Sequence, residues 1–89
     1  MKRRIVLKIH GEVQGVGLRF RVKKFSQESH INGWAKNENN GMVSIIAEGE
    51  ENDLHQLLHF CYNKIPNAQV EYIDVVWERP EGLEGFEIK

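Results

Sequence analysis

Residues 10–20 read HGEVQGVGLRF, and they mark the point at which a strand pattern gives way to a helical one. Before this stretch, Ile5, Leu7 and Ile9 occupy alternate positions, which is the period of a half-buried strand. Glycine, which recurs through the stretch, is preferred where the backbone needs a positive φ or where a ligand approaches the main chain. Arg19 follows these glycines, and its planar guanidinium suits an oxyanion. The stretch is therefore either a tight turn beside a surface arginine or an anion site.

The remainder of the chain divides into strands and helices by the same test of periodicity. Apolar residues between 54 and 61 recur at helical spacing, and acidic residues crowd the turn before them, where a helix dipole favours anions. An Asn-Gly pair in the turn 38–41 predicts a tight hairpin, and Gly49 is expected to end its second strand. We predict strands at residues 5–12, 33–37, 42–48, 70–77 and 86–88, and helices at residues 18–29 and 54–61. The amphipathic spacing of the first helix is carried by Leu18, Val22, Phe25 and Ser29.

The order of these elements is β-α-β-β-α-β with a short extra strand. It predicts an α+β fold of the ferredoxin-like, split βαβ type, with two helices on one face of an antiparallel sheet. A right-handed crossover leaves the first two strands parallel, with a gap that the third strand fills. The exits of the first two strands, at residues 13–17 and 36–37, then lie at the same edge of the sheet. This topology brings Arg19 close to Asn37.

The composition favours a small cytoplasmic domain. The 89 residues carry 12 basic and 13 acidic side chains, a net charge of −1, which argues against a protein that neutralises a nucleic-acid backbone. The lone Cys61 excludes an internal disulfide and fits a reducing compartment. Lys8 and His10 interrupt the first apolar run, which excludes a signal peptide, and no segment reaches the length of a membrane span. We expect one domain over residues 1–89, a monomer, with neither nucleic acid nor membrane as a partner.

The glycine-rich stretch has the ingredients of a phosphate cradle. A loop that joins a strand to a helix presents free amides and the positive end of the helix dipole. It is not a Walker A loop, because no Gly-Lys-Ser/Thr follows, and its glycine spacing is not the dinucleotide fingerprint. The predicted phosphate-binding residues are Gln14, Gly15, Val16, Gly17, Leu18 and Arg19, the last with its guanidinium as well as its amide.

Two motifs give the chain a family resemblance. Residues 13–19 read VQGVGLR, residues 33–37 read GWAKN, and residues 41–43 read GMV. Over essentially its whole length the chain resembles the acylphosphatase family, whose pattern is V-Q-G-V-G-F-R, then G-W-V-R-N, then G-x-V. The chain departs from this pattern at Leu18, where the family has phenylalanine, and at residues 35–36, where Ala-Lys replaces Val-Arg.

The resemblance implies hydrolysis of a carboxylic-phosphoric anhydride to a carboxylate and inorganic phosphate. The family's phosphate-binding arginine corresponds to Arg19 and its water-orienting asparagine to Asn37. A carboxylate is a good leaving group, so the chemistry needs no general acid, and positioning with electrostatics carries the catalysis. No cysteine lies near the loop, which favours direct attack by water. We expect an acyl phosphate as substrate, phosphate or sulfate as a bound product or mimic, and no metal or cofactor.

Other interpretations of the sequence remain open. A catalytically inactive module that binds a small anion is the first alternative, because one fold serves many functions. An RNA-binding sheet is the second, although the strand 42–46 lacks the aromatic residues of the RNA-recognition signature. His55 and His59 are spaced i, i+4 on the second helix and are more typical of a surface than of a metal site. Cys61 is expected to be a buried apolar residue rather than a reactive thiol.

Overall fold

The computed structural model describes residues 1–89 and contains five strands and two helices. The strands are β1 (Lys2–Glu12), β2 (Asn32–Asn37), β3 (Val43–Glu50), β4 (Gln69–Glu78) and β5 (Phe86–Ile88), and the helices are α1 (Leu18–Glu28) and α2 (Glu51–Asn63). The strands form one sheet in the order β4-β1-β3-β2-β5. All neighbours in it are antiparallel except β2 and β5, which are parallel. The predicted ferredoxin-like class, with its extra short strand, is confirmed.

The position of β3 confirms the predicted crossover. Strand β3 lies between β1 and β2, which therefore run parallel to each other. Val43 on β3 pairs with Ile9 on one side and with Asn37 on the other. The end of β2 is therefore level with the last part of β1, just before the loop that leads into α1. Both strand exits lie at one edge of the sheet, as the topology required.

The core lies between the helices and one face of the sheet. Alternate residues of β1 and β3 point into it, as their period of two predicts. Helix α2 buries Leu54, Leu57 and Cys61. Helix α1 differs from the prediction at one position, since it buries Ser26 whereas Ser29 is the residue that caps its end. The seventeen apolar residues of the core are Ile5, Leu7, Ile9, Val13, Leu18, Val22, Ile31, Ala35, Val43, Ile45, Ala47, Leu54, Leu57, Cys61, Ile65, Ile73 and Phe86.

The prediction that Gly49 ends β3 is wrong. The strand continues through Gly49, which pairs with Arg3, and α2 follows directly at Glu51. A Cβ atom at Gly49 would lie 3.4 Å from the side chain of Ile31, so the glycine accommodates a close neighbour rather than a turn. The acidic first turn of α2 is present as predicted, with Glu51 and Asp53. Neither helix has the length and apolar character that a membrane crossing requires.

Candidate active site

The loop between β1 and α1, residues 13–17, is held at both ends by the core. Val13 is 1% exposed and Leu18, the first residue of α1, is 2% exposed. Between them, Gly15 and Gly17 have φ angles of 75° and 76°. No atom lies within 4 Å of where a Cβ would stand at either glycine, so the backbone conformation and not crowding requires them. This segment, called the glycine loop below, is therefore a shaped and accessible stretch of main chain.

The N-terminus of α1 is left open to an anion. Gly17 occupies the N-cap position without a side chain that could cap the helix, and the first turn holds no acidic residue. The first backbone bond of the helix runs from the Arg21 amide to the Gly17 carbonyl, at 3.1 Å. The amides before Arg21 have no carbonyl in the helix to bond, and they lie at the positive end of its dipole. Such an arrangement binds a phosphate or a similar oxyanion.

Arg19 extends from the first turn of α1 towards the strand β2. Its Nη1 donates a hydrogen bond to the main-chain oxygen of Lys89, at 3.3 Å. The Lys89 amide in turn donates to the carbonyl of Ala35 on β2, at 2.8 Å. The guanidinium is therefore linked to the strand that ends, two residues later, at Asn37. Nothing in the sequence suggested that Lys89 takes part in holding Arg19.

Asn37 closes β2 at the edge of the sheet where the glycine loop begins. It pairs with Val43, is partly exposed, and precedes the hairpin turn, residues 38–41. That turn is closed by a bond from the Glu38 amide to the Met42 carbonyl, at 2.9 Å. The structure thus brings the glycine loop, Arg19 and Asn37 to one edge of the sheet. Of the three residues that depart from the family pattern, Leu18 and Ala35 are part of the core and Lys36 is exposed.

The side chain of Gln14 contacts the hairpin turn. Its Nε2 donates hydrogen bonds to the carbonyl oxygens of Glu38, at 2.7 Å, and Met42, at 3.0 Å. The amide of Gln14 was the part of this residue that the sequence assigned to the anion. The contacts of its side chain were missed, because both partners lie more than twenty residues away along the chain.

Neither histidine of α2 nor the cysteine belongs to this edge of the sheet. Burial raises the pKa of the Cys61 thiol to about 12, so the thiol stays neutral. His55 and His59 are exposed; the first lies 3.7 Å from the carboxylate of Glu51, and the second contacts Asn63. No group of three or more histidine, cysteine, aspartate and glutamate side chains in the protein is arranged to hold a metal ion.

A buried carboxylate organises the opposite end of the sheet. Glu48 is 4% exposed and accepts hydrogen bonds from the amides of residues 81–83, at 2.7 to 2.9 Å, and from Arg4, at 3.2 Å. Burial raises the pKa of Glu48, but these hydrogen bonds outweigh it and hold the pKa below the ordinary value of 4.5. The anchored segment leads into β5, which ends beside Lys89, the partner of Arg19.

Comparisons with known proteins, by sequence and by structure, identify one family. The acylphosphatase family model matches residues 5–88. The chain is 38% identical to the acylphosphatase of Thermococcus kodakarensis, over 99% of this chain and 98% of that one. A crystal structure of acylphosphatase from Bacillus subtilis superposes with a TM-score of 0.93 at 36% identity, covering 100% of this chain and 99% of that one. The structure of an acylphosphatase from Coxiella burnetii also gives 0.93, at 28% identity, covering 99% of this chain and 93% of that one.

The fold and the open helix N-terminus describe a small α+β domain with a site suited to an anion. The family match over almost the whole chain makes this definite: the chain belongs to the acylphosphatase family, and it is a hydrolase of acyl phosphates. The family and the activity expected from the VQGVGLR and GWAKN motifs are thereby confirmed.

Proposed function

We propose that the phosphoryl group of the substrate binds to the main-chain amides of residues 14–19 and to the guanidinium of Arg19. In this proposal Asn37 holds a water molecule in line with the bond to the leaving carboxylate. The observation that carries the proposal is the uncapped N-terminus of α1, with Arg19 in its first turn, at the same sheet edge as Asn37.

The proposed chemistry matches what these groups offer. Charge on the equatorial oxygens of the transferring phosphoryl group would be met by fixed amide dipoles and a guanidinium, which need no reorganisation during the reaction. A neutral amide such as that of Asn37 can orient a water molecule without repelling a bound dianion, as a carboxylate would. The leaving carboxylate needs no proton. Neither a metal nor a cofactor has a step to perform in this mechanism.

Release of phosphate from acetyl phosphate by the wild-type chain and by Asn37→Ala tests the proposal. We expect the wild type to release phosphate, and Asn37→Ala to have a much lower kcat, because the water loses its guide. Inhibition by inorganic phosphate should be equal in the two proteins, since the amides and Arg19 are intact. If Asn37→Ala also lost phosphate inhibition, Asn37 would be a structural part of the phosphate site and not a guide for water.

The inactive anion-binding module makes the opposite prediction. It would bind phosphate, yet the wild type would release none from acetyl phosphate.

We further propose that residues 1–89 act as one domain and as a monomer in the cytoplasm, with neither nucleic acid nor membrane as a partner. The near-neutral net charge of −1 argues against nucleic acid as a partner, and the single, buried Cys61 fits a reducing compartment.

A further inference from the structure

The side-chain amide of Gln14 lies at the neck of the hairpin turn. Its Nε2 carries two hydrogens, and it donates to two oxygens, those of Glu38 and Met42. Glu38 and Met42 are also the two residues whose backbone bond closes the turn. The side-chain nitrogen of Gln14 therefore bonds the residue that follows β2 and the residue that precedes β3, where the two strands separate.

The two segments joined by Gln14 are not held equally by the rest of the protein. The glycine loop is fixed at its ends by Val13 and Leu18, both almost fully buried. The tip of the hairpin, residues 39–41, is exposed. Its further bonds are internal: the Gly41 amide to the Glu38 carbonyl, at 3.2 Å, and the Met42 amide to Asn40 Oδ1, at 3.2 Å. Loss of the Gln14 contacts would therefore leave the hairpin turn held only by its own bonds and by β2 and β3, while the glycine loop keeps its anchors.

Asn37 immediately precedes Glu38, whose carbonyl oxygen accepts a hydrogen bond from the Gln14 side chain. We propose that Gln14 is a positioning residue: its side-chain amide sets the distance between the phosphate-binding amides and Asn37 by fixing the backbone at Glu38. This inference rests on the roles proposed above for the glycine loop and Asn37. Reactions that depend on alignment are sensitive to such a distance, because a misplacement of about 1 Å costs about 100-fold in rate.

The chemistry of glutamine fits this role in a way that its nearest substitutes do not. Methionine has a similar length but offers no donor to the two carbonyl oxygens. Glutamate has the same shape, yet its ionised carboxylate would turn acceptor oxygens towards two carbonyl oxygens. The contacts at Glu38 and Met42 thus require both the length and the two N–H groups of glutamine.

The test measures kcat and the inhibition constant of inorganic phosphate for the wild type, Gln14→Met and Gln14→Glu, at a temperature where all are folded. Gln56→Met is the matched control, since Gln56 is exposed on α2, away from the glycine loop. We expect kcat of Gln14→Met to fall about 10- to 100-fold, and that of Gln14→Glu to fall at least as far. The inhibition constant of phosphate should be unchanged, and Gln56→Met should match the wild type in both quantities.

Three results would overturn the inference alone, while wild-type activity keeps the proposed function intact. An unchanged kcat in Gln14→Met with a lower Tm would mean that Gln14 only stabilises the fold. A weaker phosphate inhibition that accompanies the loss of kcat would make the side chain of Gln14, and not only its main-chain amide, a direct phosphate ligand. If Gln14→Met does not fold, Gln14→Glu replaces it in the test, and an unchanged kcat in Gln14→Glu would overturn the inference. A wild type that releases no phosphate from acetyl phosphate would overturn the proposed function, and this inference with it.

Discussion

Arg19 has more donors than its one contact within the protein uses. A guanidinium carries five N–H groups in one plane, and a single bond from Nη1 to the Lys89 oxygen holds it in place. Two donors on adjacent nitrogens remain able to meet two oxygens of a phosphoryl group. Lysine has three donors on one rotating nitrogen and cannot hold both the Lys89 oxygen and an oxyanion in one fixed geometry.

Replacement of Arg19 by lysine should therefore remove most of the activity although it keeps the charge. We expect kcat/KM for acetyl phosphate to fall by at least about 100-fold, which is about 2.7 kcal/mol of transition-state stabilisation. Steady-state kinetics of Arg19→Lys beside the wild type measure this. Retention of more than about one third of kcat/KM, a loss of less than ~0.7 kcal/mol, would contradict the assigned role of the guanidinium.

At the scale of single elements, the GWAKN motif proves to serve two purposes. Its last residue, Asn37, belongs to the proposed site, whereas its first, Gly33, belongs to the sheet. A Cβ at Gly33 would lie 1.8 Å from the carbonyl oxygen of Ile46 on β3, which is far closer than any contact allows. The Gly33 amide also bonds the carbonyl of Gly85, ahead of β5. Gly33 thus lets β2 approach β3 on one side and receive the segment before β5 on the other.

Gly33→Ala should destabilise the protein strongly without touching the chemistry. We expect the free energy of unfolding to fall by at least about 3 kcal/mol, because β2 must move away from β3. Urea denaturation of Gly33→Ala beside Gly41→Ala separates the causes. Gly41 also has a positive φ, of 93°, but a Cβ there would meet no atom within 4 Å. Equal losses in the two variants would show that backbone conformation and not the close approach sets the cost.

The helices and strands could be predicted from the sequence where the pattern that defines them lies within the element itself. The period of β1 and the spacing of Leu54, Leu57 and Cys61 are local patterns, and both elements were found at the predicted places. The end of β3 was not predicted correctly, because Gly49 accommodates Ile31, a neighbour in space that periodicity does not identify. The same limit applies to the site: its motifs revealed Arg19 and Asn37, but no pattern in the sequence pointed to the partners of the Gln14 side chain.

For the molecule as a whole, a ligand of the proposed site should shift the folding equilibrium. Phosphate at ten times its Kd would stabilise the folded state by about 1.4 kcal/mol, which raises Tm by about 5–10 °C in a domain of this size. Thermal unfolding with and without phosphate measures the shift, and sulfate should act in the same way. Both anions also stabilise proteins generally, so Arg19→Ala is the control, and an equal shift in this variant would mean that Arg19 does not bind the anion.

The stability of the whole molecule should also depend on pH through Glu48. The folded state lowers the pKa of Glu48, so the unfolded state binds the proton more readily. The stabilisation is therefore complete above the ordinary value of 4.5 and is lost as pH falls through the lower pKa of the folded state.

Denaturation at pH 7 and at stepwise lower pH, for the wild type and Glu48→Gln, measures this contribution. At pH 7 we expect Glu48→Gln to be less stable by at least about 2 kcal/mol, because the amides of residues 81–83 and Arg4 lose a charged acceptor. The gap should narrow in acid. Glu71→Gln, an exposed residue of β4, should follow the wild type at every pH. A gap between the wild type and Glu48→Gln that is constant with pH would show that ionisation of Glu48 does not contribute.

The place of β1 between β4 and β3 has a consequence for the rate at which this chain can fold. Arg4 near the start of β1 pairs with Glu48 on β3 and with Glu78 on β4, so both partners lie far along the chain. The only strands joined by a tight hairpin are β2 and β3. Large loops must therefore close before β1 pairs with β3 and β4, and the chain loses this loop entropy before the new contacts offset it. We therefore expect this chain to fold more slowly than a helical bundle of similar size, and β1 can pair only after β3 and β4, which lie later in the chain, have been synthesised.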